Sequence, residues 1–201
     1  MNNGPQRASR ILRKTQETDI ELDLRLDGTG KNDITTGVPF FDHMLTLFTV
    51  HGFFDLTIKA VGDIEIDGHH TVEDIGICLG QAFKEALGDF RSINRYGHCS
   101  LPMDEALARV TVDLSNRPYL HFNIIPLDQK VGTFDTALAL EFFRALSLHG
   151  GMTLHVEVPY GENTHHALEA VFKALGRTLS QASAINSRVK GILSSKGSLV
   201  D

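Results

Sequence analysis

Two segments carry the residue types and spacing of a metal centre. Asp67-Gly68-His69-His70-Thr71-Val72-Glu73 and Thr164-His165-His166-Ala167-Leu168-Glu169 both contain His-His-x-x-Glu, each at the start of an amphipathic, helix-periodic stretch. In a helix, residues four apart share a face, so His69 can converge with Glu73 and His165 with Glu169. Adjacent residues point about 100° apart, so the two histidines of one pair do not readily serve one ion. Two pairs therefore suit two metals, each drawing a histidine from both motifs. Imidazole with carboxylate is a borderline-hard donor set that accepts Mn, Fe, Co or Zn rather than Cu(I). With His43 and Glu141, which lie on the preceding helical stretches, the potential ligands are His43, His69, His70, Glu73, Glu141, His165, His166 and Glu169. A single His-His pair reads more simply as a solvated helix start, with Glu73 or Glu169 favoured there by the helix dipole. Two copies at matched places turn the reading to metal.

The matching runs along the chain. Shifted by 98 residues, His51-Gly52 falls on His149-Gly150, Leu56 on Leu154 and His43 on Glu141; at 96, the first His-His pair falls on the second. The two-residue slip lies in a connecting loop, where length changes are tolerated. Polar–apolar alternation predicts strands over 18–26, 53–60, 108–114 and 151–158. Helical patterns cover 41–50, 71–88, 135–148 and 164–184, with Gly88 as a stop signal and Thr164 as an N-cap. The order predicts an α/β (α+β) fold of two strand–helix–strand–helix copies, residues 1–92 and 93–201, packed as one body. His51 and His149 read as C-terminal caps or packing residues rather than ligands. His98, His121 and His155 read as packing or surface residues, and Cys78, amid Ile75, Ile77 and Leu79, as a buried filler.

A second chemistry comes from basic residues. Arg95, Arg117, Lys173 and Ser194-Ser195-Lys196-Gly197 could together form an anion pocket, since arginine presents a fork to phosphate oxygens and the last segment adds hydroxyls and an ammonium. Lys173, four residues beyond Glu169, belongs beside the metal motif. Neither G-x-x-x-x-G-K-[ST] nor G-x-G-x-x-G occurs, so nucleotide-fold phosphate binding is unsupported.

Bulk composition closes off other classes. The 201 residues are 42% hydrophobic and 22% charged, a globular rather than disordered balance. A net charge of −6 argues against coating nucleic acid. Two cysteines exclude a disulfide framework and suit a reducing, cytoplasmic compartment. No apolar run approaches the roughly 18 residues that span a membrane. The first sixteen residues are basic but lack the apolar stretch of a secretory signal.

With these motifs in register, the sequence resembles the imidazoleglycerol-phosphate dehydratases of histidine biosynthesis. The resemblance runs from Thr15-Gln16-Glu17-Thr18 and Leu26-Asp27-Gly28-Thr29-Gly30 through Pro39-Phe40-Phe41-Asp42-His43-Met44. It continues through both His-His motifs, Asp113-Leu114-Ser115-Asn116-Arg117-Pro118-Tyr119 and Gly132-Thr133-Phe134-Asp135-Thr136 to Ser194-Ser195-Lys196-Gly197. It implies two duplicated halves of the ribosomal protein S5 domain 2-like fold, a homo-oligomer of 24 subunits with octahedral symmetry, and active sites between subunits. It also implies two Mn²⁺ per subunit, with His43, His69, His70, Glu73, His165, His166 and Glu169 as ligands. Glu141 departs from the pattern, because many members carry a histidine ligand there. Arg95, Arg117, Lys173, Ser195 and Lys196 match phosphate- or substrate-binding positions, and His43, His69 and His165 also face substrate. Glu17 matches the acid–base carboxylate, with Glu73 and Glu169 at the same catalytic centre.

The reaction so implied converts D-erythro-imidazoleglycerol phosphate to imidazole-acetol phosphate and water. Metals on the two imidazole nitrogens would stabilise an imidazolate, whose electrons expel the adjacent hydroxyl to give a diazafulvene-like species while Glu17 shuttles the proton. The same donors would also suit a dinuclear metallohydrolase acting on a small phosphorylated substrate, or a closed metal-storage assembly. Retention of the phosphate separates a dehydratase from the first, and turnover separates it from the second.

Overall fold

Alternation builds the two sheets. In β2 (Thr18–Arg25) and β4 (Asp55–Gly62) it turns Ile20, Leu22, Leu24, Leu56 and Ile58 to the core. In β6 (Ala106–Asp113) and β10 (Thr153–Tyr160) it does the same for Val110, Val112, Leu154 and Val156. These strands take the middle of their sheets and carry the strongest sequence signal. The computed structural model describes residues 7–199, so positions 1–6 and 200–201 of the two predicted halves lie outside the described residues.

Flanking strands complete each sheet. The first has the order β1-β2-β4-β3, with β1 (Ala8–Lys14) antiparallel to β2 and β3 (Asn32–Thr35) parallel to β4. The second has the order β5-β6-β10-β7, with β5 (Tyr96–Met103) antiparallel to β6 and β7 (Tyr119–Ile124) parallel to β10. Both sheets therefore have one topology, and the chain is a duplicated mixed α/β protein. The expected strand–helix–strand–helix unit is corrected to three strands, a helix, a strand and a helix. The missed strands lie on sheet edges and bury little; only Ile11 of β1 is fully buried. A small hairpin of β8 (Lys130–Val131) and β9 (Phe134–Asp135) is specific to the second half.

Four helices, α1 (Pro39–Gly52), α2 (His69–Leu87), α3 (Leu138–Gly150) and α4 (Thr164–Ser183), share one apolar core with both sheets. They pair across the halves, α1 with α4 and α2 with α3. Glycine permits the close approach. A Cβ on Gly176 of α4 would clash with Phe48 O and lie 2.9 Å from Gly52 N of α1. A Cβ on Gly80, at the equivalent place in α2, would lie 2.8 Å from Gly150 N and Leu146 O of α3.

The helix ends differ from expectation. Phe53 (φ 57°) and Gly151 (φ 64°) close α1 and α3 in the left-handed conformation, donating their N–H groups to carbonyls of the last turn. His51 and His149 therefore do not supply the caps. At α4 the N-cap is Asn163, whose side chain accepts from His165 N and His166 N, whereas the Thr164 hydroxyl turns to Asp128 at 3.0 Å. At α2, Asp67 Oδ1 accepts from His69 N at 2.7 Å.

Replacing Gly176 or Gly80 by alanine will lower stability by about 1–3 kcal/mol through overpacking, outweighing the ~1 kcal/mol gain in helix propensity. Urea unfolding monitored by circular dichroism measures this, and an unchanged midpoint for both would refute backbone-to-backbone packing.

Candidate functional site

The packing of α1 on α4 brings three predicted ligands together. His43 Nε2 lies 2.7 Å and His165 Nε2 3.2 Å from Glu169 Oε1, and one donor atom from each residue lies within 4.8 Å of the others. Lys173, one turn beyond Glu169, donates to its other oxygen at 2.7 Å. Glu169 is only 7% exposed. Burial opposes its ionisation most strongly, yet the bonds from Lys173, His43 and His165 outweigh burial and hold the carboxyl down at about 2. Phe40 meets the His165 ring edge-on at 5.2 Å and limits its swing.

The equivalent group in the other half is looser. His69 Nε2 is 3.7 Å from Glu73 Oε2. Glu141 does not join them among the described residues; both its oxygens accept from Arg144 on the next turn, at 2.6 and 2.8 Å.

The second histidine of each motif is oriented by a carboxylate that the sequence pattern did not single out. His70 Nδ1 donates to Asp63, with 3.0 Å to the nearer oxygen, and His166 Nδ1 donates to Glu105 Oε2 at 2.8 Å. A carboxylate only accepts, so the protonated nitrogen faces it and each Nε2 keeps its lone pair. Asp63 and Glu105 raise the affinity of these imidazoles for a proton. The bond from His166, then the N–H of Asn163, hold Glu105 down at about 2. No spacing rule connects Glu105 to a motif 61 positions away; only the repeated turn between the first two strands of each half is a clue. Glu17 occupies that turn in the first half, with Oε1 3.7 Å from His70 Nε2.

The basic residues divide into two groups. Arg95, Arg117, Arg188, Lys190, Ser195 and Lys196 line a groove of about 750 Å³, whereas Lys173 stays with Glu169. Arg95 is buried, binds both oxygens of Asp113 at 2.6 and 2.9 Å and donates to Leu193 O at 2.6 Å. Arg117 is 63% exposed and lies 3.6 Å from Asp113.

A family model described as imidazoleglycerol-phosphate dehydratase matches residues 36–179. The chain belongs to the imidazoleglycerol-phosphate dehydratase family. Among relatives so named, the protein of Syntrophobacter fumaroxidans is 59% identical over 193 residues, covering 96% of this chain and 98% of its own. That of Bacillus subtilis is 61% identical over 193 residues, covering 96% and 100%. The crystal structure of the dehydratase from Staphylococcus aureus superposes with a TM-score of 0.80 at 44% identity, over 89% of this chain and 98% of that one. A structure from Pyrococcus furiosus gives 0.80 at 36% identity, over 94% and 99%. An imidazoleglycerol-phosphate dehydratase is a hydro-lyase, and this chain acts as one in histidine biosynthesis. No helix among the described residues is long and apolar enough to cross a membrane.

Glu105→Gln will bring the His166 pKa down towards the free value of 6.5, because an amide no longer stabilises the imidazolium. An NMR titration of the metal-free protein reads this directly; an unmoved His166 would show that Glu105 does not set its protonation.

Proposed function

We propose that the two His-His-x-x-Glu helices hold a dinuclear Mn²⁺ centre, two ions per subunit, that dehydrates D-erythro-imidazoleglycerol phosphate to imidazole-acetol phosphate. The observation that carries this reading is the convergence of His43, His165 and Glu169, a preassembled imidazole–carboxylate donor set. The donors fit a borderline-hard divalent cation: Glu169 is ionised despite burial, and Asp63 and Glu105 leave Nε2 of His70 and His166 available. His43, His165 and Glu169 would form one centre and His69 and Glu73 the other, which Glu141 would join only by leaving Arg144, and His70 and His166 would serve centres on neighbouring subunits. Three donors do not fill a Mn²⁺ shell, which suits sites completed between subunits; the homo-oligomer of 24 copies is what the family resemblance implies. When bound, the ions supply Lewis acidity at the substrate's imidazole nitrogens.

The chain's own groups do the rest. The Glu17 carboxylate makes no hydrogen bond among the described residues and is about half exposed, so it is free to take a proton from the side-chain carbon and return it. Arg117, Ser195 and Lys196 hold the phosphate in the groove. Arg95 shapes that groove by pinning the backbone at Leu193. Lys173 keeps Glu169 ionised and oriented. A reducing, cytoplasmic setting belongs to the same reading, supported by cysteines that are both free thiols.

The test strips the protein with chelator, restores Mn²⁺, and follows product formation together with mass by light scattering. Activity and assembly that return together support the reading, and Mn²⁺ uptake without turnover overturns it. Glu17→Gln will lower kcat by about 10²–10⁴-fold with metal content unchanged; wild-type turnover would remove Glu17 from the chemistry.

A further inference from the structure

Asp74 is a buried carboxylate that none of these steps uses. It follows Glu73 on α2, is 6% exposed, and faces the β1–β2 hairpin rather than the metal ligands. Its Oδ1 accepts from Arg13 Nη2 at 2.9 Å, and its Oδ2 accepts from the Thr18 hydroxyl at 2.5 Å. Thr18 is itself buried, and its Oγ1 lies 3.2 Å from Thr15 Oγ1. Thr15 Oγ1 in turn accepts from the backbone N–H groups of Glu17 at 3.1 Å and Thr18 at 2.9 Å.

The donor count fixes the sense of this chain. A carboxylate accepts only, so Thr18 spends its single hydroxyl proton on Asp74. Thr18 Oγ1 is then left as acceptor for the Thr15 proton, and Thr15 keeps both lone pairs for the two N–H groups. The far end of Glu17 is held as well, because its carbonyl accepts from Asp63 N at 3.1 Å. Glu17 thus has a backbone tied at both sides and a side chain without a hydrogen bond among the described residues, the arrangement a proton carrier needs.

We propose that Asp74 is a positioning residue for the dehydration, acting through the Thr18–Thr15 hydroxyl relay to fix the backbone of Glu17 over the His70 side of the centre. The inference rests on the reading of Glu17 as proton carrier. Its test measures kcat, KM, bound Mn²⁺ and thermal midpoint of the Mn²⁺-loaded protein for Thr18→Val, Asp74→Asn and Glu17→Gln, and for Thr18→Val combined with Glu17→Gln. Thr18→Val removes one hydroxyl while leaving the Asp74–Arg13 pair, so it serves if Asp74→Asn fails to fold.

Thr18→Val is expected to lower kcat about tenfold, the size of one lost hydrogen bond. KM and metal content stay at wild-type values, and the effect vanishes once Glu17 is glutamine. Thr15→Ser, which keeps the hydroxyl, retains activity. An equal further loss in the Glu17→Gln background, or a loss of Mn²⁺ that accounts for the lost rate, would overturn the positioning role. Wild-type turnover by Glu17→Gln alone would instead overturn the reading of Glu17 on which it rests.

Discussion

Gly176 lets α4 lie against the backbone of α1, where a side chain would collide with Phe48 O, and this approach sets His43 beside His165 and Glu169. Glu169 then works as a second tie between the same two helices. A buried carboxylate is costly unless it is paired and hydrogen-bonded, and here three cationic or protic side chains surround it. Packing and charge therefore depend on each other: without the close approach Glu169 would lose His43, and without Lys173 it would lose the strongest of the bonds that offset its burial. Gly80 plays the equivalent part between α2 and α3.

Duplication has produced one scaffold twice, but the chemistry of the halves has diverged. The turn joining the first two strands carries a glutamate in each copy, Glu17 and Glu105. Glu105 accepts from His166 and from the backbone at Asn163 and Glu162, so it is a structural acceptor. In the first half Asp63 takes over the orientation of the histidine, which releases Glu17 from that duty. Lys173 beside Glu169 and Arg144 beside Glu141 are a second divergence, one stabilising a shared carboxylate and the other drawing a carboxylate away.

Arg95 shows how one side chain can serve the phosphate groove indirectly. It has φ of 71°, a conformation that disfavours a side chain by roughly 1–2 kcal/mol. The environment offsets this cost: its N–H donates to Ala182 O, its carbonyl accepts from Leu114 N, and its guanidinium grips Asp113 and Leu193. The grip joins β6 to the C-terminal segment, so a partly buried ion pair and the hydrogen bond to Leu193 O carry Ser195 and Lys196 to the groove wall.

Much of this was legible from residue order alone. Strong alternation marked β2, β4, β6 and β10, because central strands bury one full face. The His-His-x-x-Glu spacing located the starts of α2 and α4 and put His165 on the face of Glu169. Edge strands such as β1 and β3 were silent, since an edge exposed on most positions has no periodic constraint on its composition. What one element buries is written in its own period. Which elements meet is not: the i, i+4 spacing already set Lys173 beside Glu169, but only the tertiary structure decided that α1 pairs with α4 and that Asp63 and Glu105 face the second histidines. Those outcomes depend on backbone approach and donor–acceptor geometry between separate elements, where no local pattern records the partner.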